Sequence, residues 1–364
     1  MVPGTVGEAA KAVRLAHPVR PRGGGTKLEW GGGAPDGAQD LDTRGLDRIV
    51  EHNEGDFTAI LEAGVPLARA QAAFGEAGQM LALDPPLGDG DGATLGGVVA
   101  TADSGPLRHR YGGVRDLVVG ITVVLSDGTI AKAGGKVIKN VAGYDVAKLF
   151  AGSFGTLGLI ASVSVRLHPR PASTATATGA SRDPAALAAT AVRLAGLPLE
   201  ADCLDVAWQG GSGRVLARFG GATAAEQARA TLRHLGELDD VEAVEDDERL
   251  WALQRTRQRG ELVVKVSGRV TDVERVLRAA AAQGATVVSR VALGLSWVGL
   301  PADGDVAALR AALVPRACTV LDGASRVASP WPEVEPGTLA VMERLKARFD
   351  PAGGFKPGAF VGGI

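Results

Sequence analysis

Arg20, Arg22 and Lys27 bracket three consecutive glycines in the stretch RPRGGGTK, residues 20–27. A glycine inside a helix costs roughly 1 kcal/mol relative to alanine, so this stretch reads as a loop. Glycine admits left-handed backbone angles and lets a ligand approach the main chain with no Cβ in the way. Successive exposed N–H groups then form a concave anion nest, to which flanking cations add charge. The chemistry that suits such a loop is the grip of a phosphate.

Other motifs fail on inspection. GDGDGA (residues 88–93) has the letters of a GxGxxA fingerprint, but Asp89 and Asp91 would repel a pyrophosphate and no helix-forming run follows. The same aspartates lose the EF-hand spacing after Asp91. GGGTK is no P-loop, because Lys27 follows Thr26 and the first glycine is misplaced. Cys203 and Cys318 form no CxxC pair, and the five histidines show neither HExxH nor a paired ligand spacing, so no metal site is expected. An iron–sulfur cluster held by this chain alone is excluded, since it needs about four Cys or His ligands. His109 is the best placed histidine, but plain loop packing accounts for it better, and the catalytic residues are unassigned.

The elements that must position these loops follow from periodicity. VGEAAKAVRLA (6–16) has helical spacing, with Val6, Ala9, Ala10 and Val13 on one face. LDRIVEH, FTAILEAG and QMLALDPP read as strands, and a helix from Pro66 to Gly78 buries Leu67, Ala70, Phe74 and Ala77. LVVGITVVLSDGTIAKAG (117–134) is a hairpin turning at Asp127-Gly128. DVAKLFAG reads as a short helix and LGLIASVSVRLHPRP as a long strand. PRPASTATATGASRD (169–183) has no clear periodicity and reads as a domain boundary. Beyond it, strands alternate with Ala/Arg-rich helices, which predicts an α+β domain with an antiparallel sheet and no obvious ligand loops. A helix over 338–349 and a glycine-proline loop close the chain.

Composition bounds the class. The 364 residues suffice for about two domains, at ~150 residues each. Hydrophobic residues at 46% and charged residues at 22% describe an ordinary globular protein, and a net charge of −2 gives no support to nucleic-acid binding. No signal-peptide h-region or apolar run near ~18 residues is evident, so a cytoplasmic protein with no membrane span is expected.

Four glycine-rich stretches, RGGGT, ATLGG, GSFGTLGLI and FDPAGGFKPG, occur in an order and at separations that resemble the vanillyl-alcohol-oxidase (PCMH) type of FAD-binding domain. Within it, AGQMLALDPP, SGPLRHRYGGVRDLVVG and above all KNVAGYD (139–145) resemble the FAD-binding accessory subunits of bacterial glycolate oxidase. The resemblance is strong over about the first 170 residues and the last 20. It implies an α+β fold: an FAD domain over 1–170 with subdomains 1–113 and 114–170, an α+β cap with an antiparallel sheet over 171–329, and a segment 330–364 returning to the site.

It also implies noncovalent FAD, because tethering members carry a His beside the glycines where this chain has Gly25. The implied cofactor contacts are Arg22, Gly23, Gly24, Gly25, Thr26 and Lys27 in the pyrophosphate loop, then Pro85, Thr94, Gly96 and Gly97. They continue through Ser104, Arg110 and Tyr111 to Gly152, Ser153, Gly155, Thr156, Gly158 and Ile160, and end at Lys356. The family has Asn where this chain has Lys356. Valine at Gly24 is expected to expel the cofactor while leaving most of the fold intact.

The implied function is that of an accessory FAD subunit in glycolate oxidation, partnered by a catalytic FAD subunit and an iron–sulfur subunit. Any membrane association would be peripheral, through that complex. A self-sufficient oxidoreductase of the same fold, such as an enolpyruvyl-glucosamine reductase, and a non-redox scaffold are the alternatives. Against self-sufficiency, residues 171–329 hold only His234 among the histidines, and 2-hydroxy-acid oxidation needs cations for the carboxylate and a base or metal for the hydroxyl.

Overall fold

The computed structural model describes residues 1–33, 37–135 and 145–364. KNVAGYD lies outside these residues except for Asp145. The chain divides into two compact units, the first made of 1–104, 112–170 and 333–364, the second of 105–111 and 171–332. Both are α+β with antiparallel main sheets. The second unit takes in residues 105–111, which the sequence assigns to the FAD subdomain 1–113.

In the first unit, five antiparallel strands run in the spatial order 49–53, 58–62, 159–166, 118–124 and 130–134. The 118–134 pair is the hairpin read from the sequence, and Asp127 fixes its turn by accepting bonds from the Thr129 amide and hydroxyl, each 2.8 Å. The first helix, Val6–Leu15, is capped by Thr5 and buries Ala9, Ala10 and Val13 against Leu41, Val124 and Leu159. The second, Leu67–Glu76, buries Leu67, Ala70 and Phe74. QMLALDPP is a strand only at Gln79–Met80, which pairs with His168–Pro169. Its remainder runs as buried loop, because Leu81 and Leu83 offer their carbonyls to the Gln71 side chain rather than to a neighbouring strand.

A small parallel pair, Val19–Arg22 with Gln39–Asp42, leads into the glycine loop. Phe355 bridges to Val19 in parallel: the Val19 amide donates to the Gly354 carbonyl (2.6 Å) and the Lys356 amide to the Val19 carbonyl (3.1 Å). Asp350 secures that return. Its carboxylate accepts from the amides of Gly354 and Phe355, both 2.8 Å, and from Lys346 Nζ at 2.6 Å. Burial pushes the Asp350 carboxyl up, but these donors more than offset it and hold it below the ordinary range.

The second unit is built on eight antiparallel strands in the order 239–244, 174–181, 212–220, 203–209, 286–290, 295–299, 263–267 and 317–320. Helices 184–195, 224–231, 273–281 and 306–313 contribute Leu187, Ala228, Leu277 and Leu309 to one large core with the sheet. On the opposite face Trp251 packs on Cys203, Ala207 and Leu216. One expectation fails here: TATATGAS, read as aperiodic boundary, is the strand Thr174–Ser181, bonded on both sides. Its threonines alternate with small residues at the period of a strand, but alanine carries too little hydrophobic contrast to mark the buried face.

That same face holds a charge that sequence patterning does not reveal. Asp205 and Arg290 are cross-strand partners and both are 0% exposed. Arg290 donates to the Gly105 carbonyl (2.9 Å) and Gln258 (2.6 Å), and stacks 4.3 Å from the Trp297 ring centroid. Neither Asp205 oxygen finds a donor. Burial drives its carboxyl up to about 6, against the pull of Arg290. In the unfolded chain the group titrates near 4. Between about pH 4 and 6 the folded state therefore holds a proton the unfolded state has lost, and stability falls with rising pH at up to ~1.4 kcal/mol per unit. Denaturant unfolding of the second unit across pH 3.5–7 (roughly spanning both values) should show this slope. Asp205→Asn should remove it; an unchanged slope would assign it to another group.

Candidate functional site

The glycine loop, the start of helix Leu95–Thr101, the loop after residue 151 and the C-terminal return surround one cleft in the first unit. About 730 Å³ of space lies between these walls, with the open solvent at its mouth included.

Arg22, Gly23, Gly24, Gly25, Thr26 and Lys27 form one wall. Thr94, Gly96 and Gly97 form the second, with Thr94 Oγ1 accepting the Gly97 amide at 3.4 Å. Gly155, Gly158 and Ile160 form the third, and Lys356 closes the site from the C-terminal loop. The remaining expected residues lie elsewhere. Pro85 and Ser104 are buried outside the cleft. Gly152 ties its loop to the helix by donating to the Val99 carbonyl (3.0 Å). The hydroxyls of Ser153 and Thr156 close the turn itself, donating to the carbonyls of Phe150 (2.9 Å) and Ser153 (2.7 Å). Arg110 and Tyr111 belong to the second unit, where Arg110 bonds the Glu200 carbonyl (3.0 Å) and pairs with Asp202 (3.3 Å).

Sequence reasoning missed Pro21, Thr43, Ala63 and Phe154, which also line the cleft. Pro21 and Phe154 carried a signal, lying inside RPRGGGTK and GSFGTLGLI, and Phe154 has φ +55°. Thr43 is placed by the parallel strand pair, and its hydroxyl donates to the Arg22 carbonyl at 3.2 Å.

The three cations of the cleft differ in availability. Lys27 is already committed: its ammonium lies 3.2 Å from Asp103, 3.3 Å from the Pro86 carbonyl and over the Trp30 ring. It serves as a strut within the loop. Arg22 reaches Asp40 through one terminal nitrogen at 3.4 Å, while its buried Nε has no acceptor among the described residues. Asp40 is chiefly the partner of Arg20 at 2.5 Å, which holds its carboxyl below the ordinary range. Lys356 is 5% exposed with φ +39°, and its ammonium has no partner among the described residues. Burial, with Arg20 as a nearby like charge, lowers it to about 8. An orphaned guanidinium N–H and an unpaired buried ammonium on one glycine-lined cleft suit an anionic ligand.

Two glycines of the first wall also serve the packing of the protein itself. A Cβ on Gly24 would overlap the Gly92 carbonyl, and one on Gly23 would overlap the Thr94 hydroxyl. These positions are small so that two protein loops can interlock. Gly25, with φ +80° and nothing nearer than 3.5 Å, is the residue required by backbone angle.

Comparison with known proteins agrees with this geometry. Residues 1–134 match the family model described as an FAD binding domain. Glycolate oxidase subunit GlcE of Escherichia coli (strain K12) is 41% identical over 139 residues, 38% of this chain and 39% of that protein. Glycolate oxidase subunit GlcD of Bacillus subtilis (strain 168) is 39% identical over 155 residues, 42% of this chain and 32% of its own length. The mitochondrial D-lactate dehydrogenase [cytochrome] of Arabidopsis thaliana is 37% identical over 154 residues, 42% of this chain and 26% of that protein. The matched region thus spans well under half of each relative. Among solved structures, an alkyldihydroxyacetonephosphate synthase superposes with TM-score 0.68 at 15% identity, covering 98% of this chain and 76% of its own, which shows the fold.

The interlock makes a prediction of its own. In nucleotide-stripped protein, Gly24→Ala should lower the stability of the first unit by about 2 kcal/mol or more, because backbone must move. Gly25→Ala should cost about 1 kcal/mol, the price of a left-handed alanine. Chemical denaturation of the stripped variants reads both; a Gly24→Ala protein as stable as its parent would show that the loops do not interlock.

Proposed function

Starting from residues 1–134 as an FAD binding domain of the PCMH type, we propose that the chain is the FAD-carrying accessory subunit of a complex that oxidises glycolate to glyoxylate. In this reading it works with a catalytic flavoprotein subunit and an iron–sulfur subunit. The observation that carries it is the first-unit cleft, where the orphaned Arg22 Nε and the unpaired Lys356 meet the glycine loop of the matched FAD binding domain.

FAD is the cofactor indicated by the domain and its relatives. The residues present fit it. Main-chain N–H groups of Gly23–Gly25 and Arg22 Nε would hold the diphosphate, with Lys356 as a second charge. Thr94, Gly96 and Gly97 would line the opposite side, and Gly155, Gly158 and Ile160 the remainder. Binding is noncovalent in this reading, since the loop offers Gly25 where a tethering His would stand. When bound, FAD supplies two-electron redox chemistry at its isoalloxazine ring. The chain's own residues orient it and set its charge balance.

The accessory assignment rests on what accompanies the cleft. His234 is the one histidine of residues 171–329; its ring faces Arg233 (3.2 Å), and its carbonyl accepts from Arg193 (3.0 Å). Among the described residues, no three His, Cys, Asp or Glu side chains gather to hold a metal. No helix among them is long and apolar enough to cross a membrane.

Two measurements test the reading. The purified chain should be yellow and release FAD on denaturation, but should reduce dye with glycolate or lactate very slowly or not at all. A missing acid–base group costs roughly 10²–10⁴ in rate, and turnover should appear on co-expression with the two partners. Rapid turnover by the isolated chain would favour a self-sufficient dehydrogenase; colourless protein that takes up no FAD would end the flavoprotein reading. Lys356 adds a pH signature. The free ammonium loses its proton above about pH 8, whereas the diphosphate favours the charged form, so FAD affinity should weaken up to about tenfold per pH unit above that point. Lys356→Gln should bind more weakly at pH 7 and show a flat profile, read by fluorescence titration of stripped protein.

A further inference from the structure

The second unit has a cleft of its own, about 1150 Å³ and open to solvent. Its floor is one row across the sheet. Asp239, Ala180, Arg214 and Ala207 stand side by side on four adjacent strands, as the register requires. Two alanines flank the arginine, so its side chain lies in a trough.

The wall is the helix Glu248–Thr256 and the residue after it. Leu250, Leu253, Gln254 and Arg257 follow the i, i+3, i+4, i+7 spacing of one helical face, and all four line the cleft. Trp251 anchors the helix, fully buried, with its Nε1 donating to the Thr176 hydroxyl at 2.8 Å.

Two features mark this cleft as built for a ligand. Gln254 is 2% exposed and its Oε1 has no donor among the described residues. A buried amide oxygen left unmet costs roughly 1–3 kcal/mol, which a ligand donor would recover. Around it, Arg182 and Arg257 carry guanidinium groups with no side-chain partner among the described residues, while Arg214 leans on Glu242 (3.5 Å) and Asp240 (3.9 Å). Arg214 is already shared by Asp240 and Glu242, so the capacity for an anion rests with Arg182 and Arg257 beside the carboxylate of Asp239, a lining that suits a monoanion better than a doubly charged phosphate. Leu250 and Leu253 offer an apolar side for a short carbon chain.

We propose that this cleft is a second binding site, separate in sequence and unit from the nucleotide cleft, for a small organic carboxylate that also carries a hydroxyl or amine. The carboxylate lies on Arg257 and Arg182, and the donor group meets Gln254 Oε1.

Three probes separate the elements of the claim: 3-hydroxybutyrate, butyrate, which lacks only the hydroxyl, and inorganic phosphate. None carries a 2-hydroxyl, so oxidation at that carbon does not confuse the reading. Calorimetric titration of the cofactor-loaded protein should give saturable 3-hydroxybutyrate binding. Butyrate should be about tenfold weaker, the worth of one recovered hydrogen bond, and phosphate should be no tighter than butyrate. Arg257→Gln should abolish binding while leaving the melting curve and the flavin absorbance unchanged. Gln254→Met should erase the preference for the hydroxylated probe. No saturable binding by any probe, tightest binding by phosphate, or unaltered affinity in Arg257→Gln would overturn the proposal.

Discussion

The ligand loop of the first unit depends on a single close approach, the Gly92 carbonyl occupying the space a side chain at position 24 would need. Two irregular segments have no ladder of hydrogen bonds to hold them together, so their relative position must come from steric fit. Glycine at 23 and 24 supplies the fit, and the buried Lys27–Asp103 pair pins the same loop from its other end. Charge and shape are thereby separated: Lys27 gives up its ammonium to the scaffold, leaving Arg22 and Lys356 as the cations with capacity for an anion.

The C-terminal loop shows the same economy. Lys356 enters the cleft because residues 354–356 run alongside Val19, and that run persists because Asp350 collects three donors. A carboxylate so placed converts the end of one helix into a clamp on a loop. The cation that most affects the cleft is therefore positioned by hydrogen bonds that never touch a ligand.

Much of this was legible in sequence. The glycine clusters, the Asp127-Gly128 turn and the amphipathic helices state their structure through local rules, and thirteen of the twenty expected contacts line one cleft. What escaped was set by distant partners. Nothing near Lys27 announces Asp103, and nothing near Asp205 announces Arg290, since each pair is made by the folded chain. The packing role of Gly24 stayed hidden because a glycine needed for loop packing and one needed for a ligand have the same letter. Thr174–Ser181 hid as a strand because its alternation is between small residues. The middle section, which offered no ligand loop to the eye, forms its cleft from a helix face and a sheet row that meet only in three dimensions.

The pairing of residues 354–356 with Val19 also closes a strand edge from far along the sequence. The strand at 19–22 has one neighbour close in sequence, 39–42, while residues 354–356 cover its other edge. Without that cover the edge would present unpaired backbone groups, the kind of surface that recruits stray strands. The loop that delivers Lys356 to the cleft is thus also a guard against misplaced pairing, so loosening it would expose backbone as well as remove one wall of the cleft.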